Sequence, residues 1–377
     1  MQTNKTIQAH TIELKGKSYD IGYAQGMAIS AIPAMKEIHT AGFKGFDSEE
    51  VKRAQSLFGR FCPGLNEELA GFADALKAAP EQIVYFAMTF LRPNCSHMVI
   101  HPQMTENGHI LLARNYEFSN EAEDFILART SVDGKYTHIG TSVLNFGRED
   151  GFNEAGLAIT MSSCGFPVGA PEYMRRPAIE GLQYWAVIRT LLENCRNIDE
   201  ALDMVRDMPV AYNLNLIAAD KSGSAILIET LDGRLAFHRL DPETERYLHA
   251  TNHAVIPELA ALEPAVMEHS AVRYDYIKRT LDTSGKISKA ALKSMLLSNY
   301  PDGLCCRYYQ EFFGTTKSMV IDPVDGIIDL CWGGSAGNGW NSYSMSDPFE
   351  EGVHPVTITN EKAAPSVFQY ITHRSTL

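Results

Sequence analysis

A cysteine in its thiolate form is a strong nucleophile, so the seven cysteines, at 62, 95, 164, 195, 305, 306 and 331, are the first residues to weigh for chemistry. Their number is odd and their spacing is not that of a zinc site, and the adjacent pair Cys305-Cys306 is not a C-x-x-C redox motif. Cys95 differs from the others in its setting. It follows the turn-like Arg92-Pro93-Asn94 and opens a strand-like run, Ser96 to His101. Placement alone does not separate a nucleophile from a small core hydrophobe. Further on, Arg114-Asn-Tyr-Glu117 closes the next strand-like run. On an extended strand, positions three apart face opposite ways, so a surface ion pair is the plain reading of these two charges. Asn153 to Leu157 turns into a strand ending at Ser162-Ser163-Cys164-Gly165, Asn252 closes the stretch from Leu248, and Arg273 lies in the first turn of a helix opening at Ser270.

Three other patterns carry less. His97 and His101, four apart on a strand, would be about 13 Å from one another, too far for a shared metal. Gly333 to Gly339 is glycine-rich but lacks the Gly-Lys-Ser/Thr ending of a phosphate loop, and a mobile loop is expected there. Tyr308-Tyr309 and Phe312-Phe313 suit either an acyl pocket or core packing.

The elements that would position these residues can be read from periodicity. A strand is expected over Thr11–Leu14, then helices over 21–38, from Asp47, over 66–77 and over 81–90. From Cys95 the texture changes to short strands, 96–101, 108–114, 125–130, 136–142 and 156–162, separated by Gly, Asn and Asp turns. Pro177 opens an expected helix over 178–194, and Asn197-Ile-Asp-Glu200 caps another to 207. Strands return at 214–219, 225–230 and 235–239, helices at 270–282 and 288–298, and two last strands at 317–321 and 327–332. Runs of strands interrupted by paired helices predict two packed sheets covered by helices.

The 377 residues, 45% hydrophobic and 21% charged, suffice for a sizeable core. The formal charge of −13 argues against a nucleic-acid partner. Residues 1–94 hold ten basic and ten acidic side chains, so the whole −13 lies in 95–377. No apolar stretch reads as a signal peptide or a membrane span, and free thiols suit a reducing compartment; a cytoplasmic protein is expected.

Taken in order, Cys95, Arg114, Glu117, Asn252 and Arg273 resemble the N-terminal-nucleophile hydrolases that include the choloylglycine hydrolases, and most closely the C45 peptidase branch of acyl-coenzyme A:6-aminopenicillanate acyltransferases. Gly16-Lys-Ser-Tyr-Asp-Ile-Gly22-Tyr-Ala-Gln-Gly26 looks like that branch's opening motif. Asn213 to Gly223 with Glu229, and Thr316 to Pro323, look like later core strands. The resemblance implies an α+β fold, a four-layer αββα sandwich, with a mostly helical pro-segment or small subunit at 1–94 and a catalytic domain at 95–377, together one globular unit. It implies autocatalytic cleavage between Asn94 and Cys95, after which Cys95 is the N-terminal nucleophile. Arg114 would favour the thiolate, Glu117 would orient the new amino group, and Asn252 would donate to the oxyanion. Arg273 would support the pocket, and Ser162 or Ser163 would be an oxyanion or substrate residue.

A freed α-amino group, with a reference pKa of about 7.7–8.0, can act as base beside its own thiol, so no catalytic histidine is required. The resemblance thus implies hydrolysis of a linear amide C–N bond, or acyl transfer, through an acyl-thioester. The substrate would be a small N-acyl or N-aminoacyl amide; an acyl-thioester donor is a second candidate partner. No metal or cofactor is expected, the cleaved halves are expected to stay associated, and a higher oligomer is left open. Two departures stand out: Glu117 replaces the usual Asp, and Asn94 stands where the penicillin acyltransferase has Gly. An uncut papain-like hydrolase, and an uncleaved, catalytically decayed homologue acting as a binding or scaffold protein, remain as alternatives.

Overall fold

The computed structural model describes residues 3–40, 47–87, 93–165 and 175–373. The strands are β1 (Thr3–Gly16), β2 (Asn94–Ile100), β3 (Leu111–Phe118), β4 (Ile126–Val132), β5 (His138–Thr141), β6 (Asp150–Asn153), β7 (Leu157–Ser163), β8 (Leu214–Asp220) and β9 (Ala225–Leu231). They continue with β10 (Arg234–Arg239), β11 (Tyr247–Ala250), β12 (Ala265–Met267), β13 (Arg307–Tyr308), β14 (Phe313–Asp322), β15 (Ile327–Trp332), β16 (Asn341–Ser344), β17 (Gly352–Asn360) and β18 (Tyr370–Thr372). One sheet runs β10-β9-β8-β7-β6-β5-β4-β1-β17; the second runs β11-β2-β3-β14-β15-β16, with β13 on β14.

The helices are α1 (Ser18–Ser30), α2 (Pro33–Thr40), α3 (Ser48–Phe61), α4 (Leu65–Leu76), α5 (Tyr184–Asn194), α6 (Ile198–Asp207), α7 (Pro257–Ala260), α8 (Glu268–Thr283) and α9 (Lys289–Leu297). Helices α5 and α6 pack on the outer face of the first sheet, and α8 and α9 on that of the second, while β2 and β3 face β7 and β8 across the middle. The protein is therefore a four-layer αββα sandwich. Because both faces of the central strands are covered, they read as unbroken buried runs rather than alternating ones; β3, β7, β8 and β14 are buried along their whole length.

Several ends follow local rules. Asp47 and Glu50 form a reciprocal capping box at α3, Asn197 caps α6 and Ser288 caps α9, each accepting from the backbone three residues on. Elsewhere tertiary contacts override periodicity. The helix expected over 21–38 is broken into α1 and α2 before Pro33. The helix expected over 81–90 is two 3₁₀ turns, Pro80–Gln82 and Val84–Ala87, and its end lies outside the described residues. The helix expected from 178 begins only at Tyr184. Before it, Leu182 bridges Val210, and a Cβ at Gly181 would come within 2.1 Å of the Pro209 carbonyl oxygen. The glycine-rich stretch after Trp332 is no mobile loop but a turn stapled to β17, with Asn338 Nδ2 donating to the carbonyls of Trp332 and Thr357. Of the aromatic groups, Tyr309 and Phe313 are core residues and Phe312 is 52% exposed.

The segment before Cys95 is woven into the body. Strand β1 lies between β4, parallel, and β17, antiparallel, inside the first sheet. Gly22 and Gly26 of the opening motif let α1 sit directly on α4: a Cβ at Gly22 would stand 1.8 Å from the Glu68 carbonyl oxygen.

Candidate active site

Strand β2 places Cys95 opposite Tyr116 and His97 opposite Arg114 on β3, so these four side chains share the face turned towards the other sheet. His97 Nδ1, 2.9 Å from Thr160 Oγ1 on β7, marks that direction. Arg114 Nη2 donates to Cys95 Sγ at 3.2 Å. Its Nη1 donates to Asp150 Oδ2 at 2.5 Å and to the Glu149 carbonyl at 3.1 Å. Arg114 is fully buried and does not pair with Glu117, which leaves β3 on the opposite face.

On that side Glu117 Oε2 accepts from Arg273 Nη1 at 3.0 Å, and Oε1 accepts from Thr315 Oγ1 at 3.3 Å. Arg273 also donates from Nη2 to Asn252 Oδ1 at 2.7 Å. The same Asn252 oxygen accepts from the backbone N–H of Cys95 at 3.2 Å. With two donors on Oδ1, and with Nδ2 donating to the carbonyl and hydroxyl of Ser163 at 3.1 Å each, the Asn252 carboxamide has one satisfactory orientation. The backbone nitrogen of Cys95 therefore meets Asn252, and Glu117 is linked to it only through Arg273 and Asn252. Ser163 Oγ donates to the Pro93 carbonyl at 2.7 Å, while Ser162 turns to the Thr251 carbonyl. Of the two serines, Ser163 touches the chain leading into Cys95.

Asn252 lies just after β11 on a segment held by side chains at six backbone groups. Asn215 Nδ2 donates to the carbonyls of Thr251 and His253. Ser270 Oγ accepts from Asn252 N, Glu263 from Ala254 N, and Glu229 from the N–H groups of Val255 and Ile256.

Burial pushes the Cys95 thiol up to about 12; Arg114 pulls it down, and Glu117 adds to the rise. Burial likewise lifts Glu117 to about 7, against the attraction of Arg273 and Arg114. Behind Arg114 lies a buried ionic strip that sequence reasoning missed. Thr141 Oγ1 bridges Asp150 and Glu149, and Lys317 joins Glu149 to Glu123 with its ammonium 4.3 Å from the Tyr116 ring centre. The available signal was a lysine inside an otherwise uncharged strand run, Thr316 to Ile321. Burial raises Glu149 to about 8.

All seven cysteines are free and buried. Among the described residues, one group could hold a metal ion, His109 with Asp322 and Asp325, and Lys289 Nζ already sits 2.6 Å from Asp322 there. No helix among the described residues is long and apolar enough to cross a membrane.

The family model of acyl-coenzyme A:6-aminopenicillanic acid acyl-transferase matches residues 103–336. The chain belongs to that family. The matched span holds Arg114, Glu117, Asn252 and Arg273 and begins after Cys95. No curated protein matches the sequence.

Among solved structures the chain is similar to penicillin V acylase from Agrobacterium tumefaciens, with 16% identity over 67% of this chain and 86% of that one and a TM-score of 0.42. It is also similar to a Caenorhabditis elegans orthologue of N-acylethanolamine-hydrolyzing acid amidase, with 16% identity, 61% and 93% coverage and a TM-score of 0.43. A third is a mutant of conjugated bile acid hydrolase from Clostridium perfringens, with 13% identity, 69% and 96% coverage and a TM-score of 0.40.

Proposed function

We propose that this chain is the precursor of a cysteine amidase or acyltransferase that cuts itself between Asn94 and Cys95. It would then act on a small N-acyl or N-aminoacyl amide through an acyl-thioester on Cys95. The observation that carries this reading is the double hold on one residue: Arg114 donates to the Cys95 sulfur, and Asn252 accepts from the Cys95 nitrogen. A structural cysteine needs neither contact, whereas an N-terminal nucleophile needs both, one for its thiolate and one for its amine.

In the uncut chain the buried thiol is neutral and its nitrogen is an amide with no basic lone pair. Cleavage turns that nitrogen into an amine with a reference pKa of about 8, which can take the thiol proton and return it to the leaving amine. Asn252 would hold the amine, with Arg273 and Glu117 fixing Asn252 from behind. Donation from Asn252 to an oxyanion would use its Nδ2 edge, the edge that Ser163 shares. Water would release the acyl group in hydrolysis, and an amine would release it in transfer. The second reading, an uncut binding homologue, draws on the complete burial of Cys95 in the intact chain.

Mass spectrometry of the denatured protein separates the two. Fragments 1–94 and 95–377 are expected, and Cys95→Ala should stay whole. An intact wild-type chain with no turnover of any amide would sink the proposal.

A further inference from the structure

The residues just before Cys95 occupy a defined place. The Pro93 carbonyl accepts from Ser163 Oγ at 2.7 Å. That hydroxyl's proton is committed to Pro93, because its other partner, Asn252 Nδ2, is itself a donor. The Asn94 side chain points elsewhere, its Nδ2 lying 3.4 Å from the Phe312 carbonyl oxygen. Phe312 stands at a left-handed φ of 57° on the exposed rim.

These contacts bear on the substrate through an intermediate that both reactions share. In self-cleavage the Cys95 sulfur bonds to the Asn94 carbonyl carbon, the C–N bond to Cys95 breaks, and the thiol proton passes to the Cys95 nitrogen. Water then adds to the thioester, releasing the Asn94 carboxylate and restoring the thiol. In turnover the sulfur carries the substrate's acyl group instead, beside the same free amine. The Asn94 acyl unit is thus a first substrate, and its contacts describe the acyl site.

Resting on the reading of Cys95 given above, we propose that the enzyme selects acyl groups bearing a hydrogen-bond-accepting carbonyl at the γ position, with Ser163 Oγ as the donor that reads it. In the chain that carbonyl is Pro93 C=O, separated from the scissile carbon by the Asn94 nitrogen and Cα. N-acylaminoacyl and 4-oxoacyl amides share this arrangement. The α position opens towards the Phe312 rim, so substituents there are tolerated. A hydroxyl placed to donate to a substrate carbonyl discriminates strongly against an analogue lacking it, because the buried donor is left without a partner.

The test uses the processed enzyme and three 4-nitroanilides with acyl chains of equal length: pentanoyl, 4-oxopentanoyl and N-acetylglycyl. The last two should exceed pentanoyl by about tenfold or more in kcat/KM, and Ser163→Ala should bring the three within about threefold of one another. Equal or faster turnover of the pentanoyl anilide by the wild type would overturn the inference while leaving Cys95 as the nucleophile. Should none of the three be turned over, with no acyl adduct on Cys95 by mass spectrometry, the amidase reading falls and this inference with it. If Ser163→Ala fails to process, the wild-type comparison still decides.

Discussion

Arg114 answers two opposite demands. Its Nη2 donates to the Cys95 sulfur, which on the proposed mechanism would become negative, while its Nη1 pairs with the buried carboxylate of Asp150. Removing it has separable consequences. On the proposed mechanism, Arg114→Gln should lower Cys95-dependent turnover by about a hundredfold or more, the scale of losing one preorganised donor to developing charge. It should also destabilise the fold by about 3–5 kcal/mol, because the buried Asp150 carboxylate loses its cationic partner and keeps only Thr141. The double variant with Asp150→Asn should recover much of the stability, read from urea unfolding, and little of the activity. Recovery of both together would show that Arg114 serves only the fold. The structure brings together Cys95, Arg114, Glu117, Asn252 and Arg273, which the sequence already offered as an ordered set resembling a known family. Asp150, Glu149 and Lys317 could not be found there, since their proximity depends on which strands the two sheets lay face to face.

At the scale of elements, sequence and structure part where long-range contacts decide. Helices with polar caps, α3, α6 and α9, begin where Asp47, Asn197 and Ser288 say they should. The stretch 178–183 has helical periodicity but bends at 178–180 and bridges Leu182 to Val210, a partner that no local window contains. Strand β17 escaped notice for a related reason: it holds Pro355, and it is an edge strand defined by its pairing with β1. The opening motif was visible as a pattern, and its meaning is the contact between α1 and α4. Gly22→Ala would push a methyl group into the Glu68 backbone, and Gly71→Ala would do the same to that of Tyr19. Each should cost about 1–3 kcal/mol, the usual penalty of overpacking, and lower the thermal midpoint by about 1–4 °C. An unchanged midpoint in both variants would show that α1 does not dock as described.

For the whole molecule, buried ionisable groups set a pH profile. Burial raises Glu117 and Asp124 to about 7, and Glu149 and Glu229 to about 8. A carboxyl with a raised pKa binds its proton more tightly when folded, so its stabilising share is whole below the unfolded value and is lost as pH climbs through the folded one. His39, His249 and His253 are depressed by burial to about 4, 3 and 3, and they act in the opposite sense only up to the unfolded histidine value. The two groups oppose each other below about pH 6.5, and above it only the carboxyls remain. The urea midpoint should therefore fall from about pH 6.5 to 8.5, less steeply in Glu149→Gln. A midpoint that is flat or rising over that range would contradict the burial of these carboxyls.

Strand β1 gives the molecule a history as well as a shape. It precedes the Asn94–Cys95 bond yet is laced between β4 and β17, which follow that bond. An uncut chain finds this register as one molecule, at a rate independent of how much protein is present. Once cut and then denatured, the same residues are two species that must meet, so recovery would depend on concentration and compete with aggregation. Cleavage would thus convert a protein that can fold repeatedly into one whose native state, once lost in dilute solution, is not readily regained.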